Sequence, residues 1–258
     1  CDHLQSVLRT SLTNNNGLYP TTNSLDLESC NIYIVTVPTP TDKHHRPILT
    51  PLYKASETVG SVLKKGDIVI YESTVYPGVT SQTWIPEIET LGLRIGVDVD
   101  IAYCPERFNP GDTAHGVRQV ARVIGCSNEE VGAGLTSLYG QLTSGDVRYV
   151  GKIEVAEAAK VIENVQRDIN IALVNELARI FPELDVDVED VLSAAATKWN
   201  FHRYTPGVGV GGHCIPVDPL YLTWWARQSG VQAKFVESAD LINHAMPKYV
   251  AQRALSMV

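Results

Sequence analysis

Short apolar runs alternate with amphipathic stretches over residues 1–150. The first run, "CNIYIVTVPTPTD", is rich in β-branched residues and ends at prolines, which is typical of a parallel strand covered on both faces. Four later runs predict further strands: "DIVIYESTV", "VDIAYCPERF", "QVARVIGC" and "VRYVG". The helix predicted over "TPLYKASETVGSVLKKG" has Lys64, Lys65 and Gly66 as its expected C-terminal signals. This alternation predicts a doubly wound α/β layer with a parallel sheet.

The pattern changes to a helical period near Ile153. The segment "IEVAEAAKVIENVQRDINIALVNELARIF" keeps that period for about eight turns without a Gly or Pro. Three later segments are also predicted to be helical, the first of them capped by Asp187 or Asp185: "DVEDVLSAAATKW", "PLYLTWWARQSG" and "SADLINHAMPKYVAQRALSMV". Residues 151–258 are therefore expected to form an all-α module built on one long helix.

Composition and charge narrow the class of protein. The 258 residues are 44% hydrophobic and 19% charged, as in ordinary globular domains, and the net charge of −8 argues against a nucleic-acid or anionic-membrane partner. The apolar runs are too short to span a bilayer, and "CDHLQSVLRT" lacks the apolar region of a signal peptide. We therefore expect a cytoplasmic protein. The five cysteines, among them Cys1, include no C-x-x-C pair, so we expect neither a disulfide framework nor a zinc knuckle.

The segment "PGVGVGGHCIPVDP" places Cys214 among glycines and prolines. Gly207, Gly209 and Gly212 satisfy G-x-G-x-x-G, but no apolar strand precedes them and two prolines prevent an immediate helix, so we reject a dinucleotide loop. Glycines let backbone approach a ligand closely, and a thiolate there could attack a carbonyl carbon. The alternative is a buried structural cysteine. A zinc site at His213, Cys214 and His202 fits no standard ligand spacing.

Other polar residues occupy positions where chemistry is possible. Lys160 and Asn164 share a helix face, and Glu157 lies one turn before the lysine; the alternative is a solvated face with a Glu–Lys pair. Glu106 follows a predicted strand, where a carboxylate could handle water or protons, although a solvated loop acid is the alternative. Asp218 could act with Cys214 or could simply cap the next helix.

Five segments together resemble the UDP-glucose/GDP-mannose dehydrogenase family, in the family's order: "VTVPTPTD", "ESTVYPGVT", "CPERFNPGD", "AEAAKVIENVQRDINIALVNE" and "PGVGVGGHCIPVDPLYL". The sequences of three segments are similar to those of the branch that oxidises N-acetylated UDP-hexosamines: "ERFNPGD", "GGHCIPVDP" and "NHAMPKYV". The resemblance implies a partial Rossmann-like NAD-binding domain over residues 1–150, lacking its N-terminal G-x-G-x-x-G unit. It also implies a central helical domain over 151–258, followed in the family by a UDP-binding domain that is absent here, so we expect the chain alone to be weakly active or inactive.

The resemblance implies an NAD-dependent, four-electron oxidation of a sugar C6 alcohol to the uronate for polysaccharide precursor synthesis. Cys214 matches the family nucleophile, which forms a thiohemiacetal and then a thioester. Lys160 would hold the C6 oxygen with support from Asn164, Glu106 would direct the hydrolytic water, and Asp218 would assist it or orient Lys160. Thr39, Ser73 and Thr74 would contact NAD. Five residues would line the substrate: Arg107, Phe108, Asn109, Tyr204 and Gly211.

One residue departs from the family pattern, and other hypotheses about the function are still open. Pro110 stands where some members carry a second glutamate, which leaves a two-glutamate hydrolysis scheme without its second residue. A UDP-glucose 6-dehydrogenase, a thiol-dependent aldehyde dehydrogenase with a single oxidation, and a non-enzymatic helical dimerisation module are the competing hypotheses. The family's use of the long helix also implies a homodimer.

Overall fold

The computed structural model describes residues 19–109, 112, 114–212 and 214–257, apart from the side chains of residues 83 and 87. Cys1, Pro110 and His213, which the sequence singles out, lie outside the described residues.

Five strands form one sheet in the order β1-β2-β3-β4-β5. They are Ile32–Val35 (β1), Ile68–Tyr71 (β2), Asp100–Tyr103 (β3), Arg122–Cys126 (β4) and Val147–Gly151 (β5). The first three strands run parallel, β4 is antiparallel to β3, and β5 is parallel to β4. The sheet is therefore parallel in the main, with one reversal that the sequence pattern did not predict. As a result, the carboxyl ends of β1, β2 and β3 share an edge with the beginning of β4.

Helices cover both faces of the sheet, as a doubly wound layer requires. They are Thr50–Gly60 (α1), a π-helical segment Thr80–Trp84 that continues into Ile85–Thr90 (α2), and Glu129–Gly140 (α3); a short 3₁₀ helix, Ser24–Leu27, precedes β1. One core cluster joins Tyr71 and Ile101 to Leu52 and Trp84. The cluster on the other face joins Ile70, Ala102 and Ile124 to Leu135 and Tyr139 of α3.

Two details of the predicted layer are wrong. β1 is not covered on both faces by the described residues, because Ile32 and Ile34 are 41% and 49% exposed while Tyr33 and Val35 are buried. α1 ends at Gly60, four residues before Lys64. Lys64 instead binds Asp67 through both its backbone N–H (3.0 Å) and its Nζ (2.8 Å), which fixes the turn into β2.

The second half is helical, as predicted. Its elements are Ile153–Ile180 (α4), a 3₁₀ turn Phe181–Leu184, Val188–Ala195 (α5), Asp218–Gln228 (α6) and Lys234–Leu255 (α7). Asp187 caps α5 by accepting from the Glu189 N–H at 2.7 Å, whereas Asp185 takes a left-handed conformation after the 3₁₀ turn. α4 is 28 residues long and packs against β4 at its start and against α6 and α7 further along. In the described ranges, no helix is long and apolar enough to cross a membrane.

Candidate active site

Three of the predicted catalytic residues meet beside α4. Lys160 and Asn164 lie one turn apart and are both buried, so the alternative of a solvated helix face is wrong. Asn164 donates from Nδ2 to Oδ2 of Asp218 over 2.6 Å. Asp218 is the first residue of α6 and is 2% exposed, and its carboxylate binds Asn164 rather than capping its own helix.

The surroundings of Asp218 tune its acidity. Burial raises the pKa of Asp218 to about 6, although the hydrogen bond from Asn164 and the positive charge of Lys160 act to lower it. A carboxyl group with a pKa in this range can exchange protons near neutral pH. Lys160 lies four residues before Asn164 on α4, and therefore on the face of the helix whose Asn164 binds Asp218.

Cys214 lies one turn before Asp218 and is exposed, so the alternative of a buried structural cysteine is wrong at this position. Its carbonyl oxygen accepts the backbone N–H groups of Val217 at 3.0 Å and Asp218 at 2.8 Å. The backbone of Cys214 is therefore joined to α4 through Asp218 and Asn164. Of the other described cysteines, Cys104 and Cys126 are buried and Cys30 is half-buried.

The expected cofactor contacts lie together at the carboxyl edge of β1 and β2. Thr39 Oγ1 donates to the Thr74 carbonyl at 2.6 Å, and Ser73 Oγ donates to the Val37 carbonyl at 2.7 Å. Both hydroxyl oxygens keep lone pairs that can accept from the hydroxyl groups of a ribose, so these residues fit NAD. Tyr221 of α6 donates to the Thr39 carbonyl at 2.7 Å, which docks the helix after Cys214 onto this edge.

Glu106 is held by a buried arginine. Its Oε1 accepts the backbone N–H groups of Arg107 (2.8 Å) and Phe108 (2.7 Å), and its Oε2 accepts from Arg122 at 2.7 Å. The antiparallel register of β3 and β4, continued three residues beyond Tyr103, sets Arg122 opposite Glu106. The Glu106 side chain is 39% exposed, against 8% for that of Arg122. Glu106 is thus a fixed carboxylate with one solvent-facing side, and not a free loop acid.

A second carboxylate shares this arginine. Glu72 follows β2, and its Oε2 lies 3.9 Å from Arg122 Nη1 while its Oε1 accepts from the Tyr139 hydroxyl at 2.6 Å. Burial raises the pKa of Glu72, and it raises the pKa of the adjacent Cys104 thiol to about 12. The Arg122 guanidinium also lies 5.7 Å from the centre of the Tyr139 ring.

The segment after Glu106 lies along α4. Arg107 forms an ion pair with Glu163 at 2.6 Å and donates to the Ala121 carbonyl at 3.1 Å. Asn109 accepts from Arg167 at 3.1 Å, one turn further along α4. Two of the predicted substrate residues, Arg107 and Asn109, are thereby anchored to the helix that carries Lys160 and Asn164. Phe108, between them, is half-buried.

Glu157 is not a partner of Lys160. It is fully buried and accepts from the Gly78 N–H at 2.6 Å, the Thr80 N–H at 3.0 Å and the Thr80 hydroxyl at 2.6 Å. Burial raises the pKa of Glu157 despite these bonds. Its role is to bind the segment after β2 to the first turns of α4.

The remaining predicted substrate residues lie around the glycine loop, residues 206–212. Tyr204 is half-buried and Gly211 is exposed. A cavity of about 760 Å³ borders the start of this loop and is lined by Gly207, Met246, Tyr249 and Arg253, away from Lys160 and Asp218. Within the described residues, no group of three His, Cys, Asp or Glu side chains could hold a metal ion.

Sequence reasoning missed Arg122 and Tyr221, which bind the predicted residues Glu106 and Thr39, and it missed Glu72 and Tyr139, which surround Arg122. One signal was available for Arg122, because a charged residue inside the apolar run "ARVIGC" must find a partner when that run becomes a buried strand. Tyr221 and Tyr139 carried no such signal, since each acts through a single hydroxyl on an otherwise ordinary helix.

Comparison with known proteins identifies the class. The NAD-binding domain of the UDP-glucose/GDP-mannose dehydrogenase family matches residues 2–143, and the central domain of that family matches residues 154–245. Strands β1 to β4 lie within the first match, and most of α4, α5 and α6 lies within the second. The chain belongs to the UDP-glucose/GDP-mannose dehydrogenase family, whose cofactor is NAD.

Several relatives are similar over almost the whole chain, and two of the following three are named for N-acetylated UDP-sugars. The chain is 51% identical over 234 residues to UDP-N-acetyl-D-glucosamine 6-dehydrogenase of Pseudomonas aeruginosa, covering 90% of this chain and 55% of that protein. It is 46% identical to Protein CapL of Staphylococcus aureus, covering 98% of this chain and 60% of that protein. The solved UDP-D-ManNAc dehydrogenase of Pyrococcus horikoshii superposes with a TM-score of 0.87 at 34% identity, covering 95% of this chain and 57% of that one. The chain thus spans little more than half the length of these relatives.

Proposed function

We propose that this chain is the NAD-binding and central part of an enzyme that oxidises the C6 alcohol of a UDP-N-acetylhexosamine to the carboxylate, for the supply of polysaccharide precursors. The observation that carries the proposal is the 2.6 Å hydrogen bond from Asn164 to Asp218. It joins the helix bearing buried Lys160 to the turn bearing exposed Cys214, so that a cation, a proton acceptor and a nucleophile belong to one site.

In the first oxidation, the Lys160 ammonium holds the C6 oxygen and stabilises negative charge that develops there. The hydroxyl proton passes to Asp218, directly or through a water, because the pKa of Asp218 lies near 6. Thr39, Ser73 and Thr74 would hold NAD, which would supply a hydride acceptor for each oxidation, with a second NAD replacing the first NADH before the second oxidation. After the first oxidation the C6 carbon is an aldehyde.

Cys214 makes the second oxidation possible. An aldehyde carbon cannot release hydride until a nucleophile has added to it, so the Cys214 sulfur forms a C–S bond and the carbonyl oxygen takes up a proton. The resulting thiohemiacetal loses a hydride from C6 and a proton from its oxygen, which leaves a thioester on Cys214. Two hydrides, or four electrons, have then left the sugar.

Water completes the reaction at the thioester. The oxygen of water bonds to the carbonyl carbon, the C–S bond breaks, and the electrons of that bond return to Cys214. The exposed side of Glu106, whose other side is fixed by Arg122, orients this water and takes its proton. Arg107, Phe108, Asn109, Tyr204 and Gly211 border the sugar in this proposal.

The N-acetylated substrate is favoured over UDP-glucose by the relatives. The names of the similar curated proteins include UDP-N-acetyl-D-glucosamine 6-dehydrogenase and UDP-N-acetyl-D-mannosamine dehydrogenase. Since the chain is more similar to the first (51%) than to the second (34%), we rank UDP-GlcNAc first among the candidate substrates. The cytoplasmic location expected from the sequence stays a prediction.

We further propose that the protein is a homodimer formed through α4. Four apolar side chains on this helix are each about half exposed: Val155, Ile162, Leu173 and Ile180. Their separations of 7, 11 and 7 residues keep them within one narrow stripe of the helix surface. A second copy of α4 would cover this stripe.

The decisive experiment uses the full-length protein with NAD and each of UDP-glucose, UDP-GlcNAc, UDP-GalNAc and UDP-ManNAc. We expect two NADH per sugar consumed, with an acetamido sugar preferred. Cys214→Ser should abolish net formation of the acid. No NADH from these four substrates, with one NADH per molecule from a UDP-sugar 6-aldehyde assayed in parallel, would indicate the single-step aldehyde dehydrogenase. No NADH from any of them, with Cys214 labelling that UDP-sugars do not slow, would indicate a non-enzymatic module.

A further inference from the structure

Three buried polar side chains connect α4 and α7 to the glycine loop. Asp168, Asn175 and Asn243 are each 2% exposed or less. Asn175 Oδ1 accepts the backbone N–H of Gly207 at 2.9 Å, and Asn175 Nδ2 donates to Asn243 Oδ1 at 2.8 Å. Asn243 Nδ2 donates to Asp168 Oδ1 at 2.7 Å. The candidate active site described above uses none of these three residues.

The groups at the two ends of this hydrogen-bond network, the Gly207 N–H and the Asp168 carboxylate, fix which atom donates and which accepts in every bond. The Gly207 N–H can only donate, so Asn175 must present its oxygen to the loop and its NH₂ group to Asn243. Asn243 must then present its own NH₂ group to a pure acceptor, and the Asp168 carboxylate is one. Each amide therefore has a single orientation in which all three hydrogen bonds of the network are made.

A proline in α7 creates a second point of attachment. Pro247 lies four residues after Asn243 and has no N–H, so the Asn243 carbonyl loses its usual helical donor. Gly209 lies against this carbonyl: a Cβ added at Gly209 would come within 2.8 Å of the Asn243 oxygen, and Gly209 has a φ of 110°. Only glycine permits this approach. The side chain of Asn243 thus binds Asn175, which holds the start of the glycine loop, and its backbone carbonyl lies against Gly209.

We propose that Asn175 and Asn243, oriented by Asp168, are positioning residues that hold the glycine loop so that Cys214 meets the aldehyde carbon. The inference rests on the proposed function in taking Cys214 as the nucleophile. The described residues 206–212 of the glycine loop form no helix or strand, and Cys214 begins the turn that leads into α6. The two ends of the segment from Gly207 to Cys214 are therefore held by two partners, Asn175 at the start and the turn before Asp218 at the end.

The test uses the full-length protein and three variants, Asn175→Ala, Asn243→Ala and Gly209→Ala. Asn170→Ala is the matched control, since Asn170 is also on α4 but, among the described residues, its side chain donates to the Gln166 carbonyl of its own helix, at 2.7 Å. Two quantities are measured: amide hydrogen exchange of the segment 205–217, and the separate rates of the first and second hydride transfers with UDP-GlcNAc. The exchange measurement needs no substrate, so it tests the anchoring independently of the proposed function.

We expect about ten-fold faster exchange over 205–217 in all three variants, consistent with the loss of one hydrogen bond or contact. We also expect the second hydride transfer to slow at least ten-fold more than the first, because only the second depends on the position of Cys214. Asn170→Ala should change neither quantity. Gly209→Ala displaces the loop without altering a buried polar group, so it keeps the test valid if Asn175→Ala fails to fold. Exchange within two-fold of the wild type, or equal slowing of both transfers, would overturn the proposal.

Discussion

The two regions that contribute to the candidate site hold their polar residues in different ways. At the sheet edge, Thr39, Ser73 and Glu106 bind mainly to backbone groups of segments that follow the strands. The second carboxylate oxygen of Glu106 binds Arg122. Along α4, three buried polar residues each bind a different distant element: Glu157 the segment after β2, Asn164 the start of α6, and Asn175 the glycine loop. The edge is fixed by local contacts, whereas α4 holds several segments that are far apart in the sequence.

This difference predicts different responses to mutation. Removal of a group at the sheet edge leaves backbone bonds that still hold the segment in place. Removal of a polar group on α4 releases the whole element that it binds, and leaves a buried partner unsatisfied, which costs about 1–3 kcal/mol. Effects on chemistry should therefore be larger for α4, whereas at the edge a large effect on folding is expected only for the buried Arg122.

The largest effect is expected for Lys160→Met in the full-length protein. Met keeps the packing of the lysine stem but removes the charge that acts on the C6 oxygen and on Asp218, so kcat should fall about 10²–10³-fold, or about 2.7–4 kcal/mol. Steady-state NADH formation measures this. Lys152→Met, an exposed lysine at the start of the same helix, is the control and should retain activity. Activity of Lys160→Met within three-fold of the wild type would remove Lys160 from the site.

Arg122→Met should destabilise the protein by about 3 kcal/mol. The change leaves Glu72 and Glu106 without their shared cation, and the value lies at the low end for a broken buried pair because Glu106 is 39% exposed. Urea unfolding followed by circular dichroism measures it. The double variant Arg122→Met with Glu72→Gln should recover part of the loss, and a double variant no more stable than the single one would contradict the shared role of Arg122.

Asp168→Asn should reduce the pH dependence of stability. Burial raises the pKa of Asp168 from 3.8 to about 6, so the folded state binds more protons than the unfolded state between about pH 4 and 6. Stability therefore falls as pH rises through that window, by up to about 3 kcal/mol, and is higher below pH 4 as far as this group is concerned. In Asp168→Asn this contribution disappears while the Oδ1 acceptor for Asn243 remains. Equal pH slopes for the two proteins between pH 4 and 6 would contradict this account.

The smallest effect is expected for Tyr221→Phe. It removes one hydrogen bond to the Thr39 carbonyl, worth about 1 kcal/mol, and leaves the ring packing unchanged. Because that bond docks α6 on the cofactor edge, KM for NAD should rise about five-fold with kcat nearly constant. Tyr53→Phe is the control. It also removes a tyrosine hydroxyl from a packed ring, but no side-chain hydrogen bond of that hydroxyl is lost within the described residues. A rise in KM that is the same for both variants would show that Tyr221 has no special docking role.

The sequence predicted the strand–helix layer, the long helix and the grouping of candidate residues at strand ends, because each depends on a local periodicity or on neighbouring residues. It did not predict the antiparallel β4, since direction within a sheet is not encoded in the apolar run "ARVIGC". That reversal is what brings Arg122 to Glu106. The Asp168–Asn243 bond was likewise hidden, because it joins residues 75 positions apart on two helices that each look unexceptional.

The central claim is that Cys214 carries the substrate between the two oxidations. The most direct measurement is peptide mass spectrometry of the full-length Glu106→Gln protein, quenched in acid after mixing with NAD and UDP-GlcNAc. The account predicts a uronyl adduct of the sugar nucleotide on the peptide that contains Cys214, because thioester hydrolysis is slowed while both oxidations continue. Two NADH per sugar with Cys214 unmodified at every time point, and the same yield from Cys214→Ser, would contradict it.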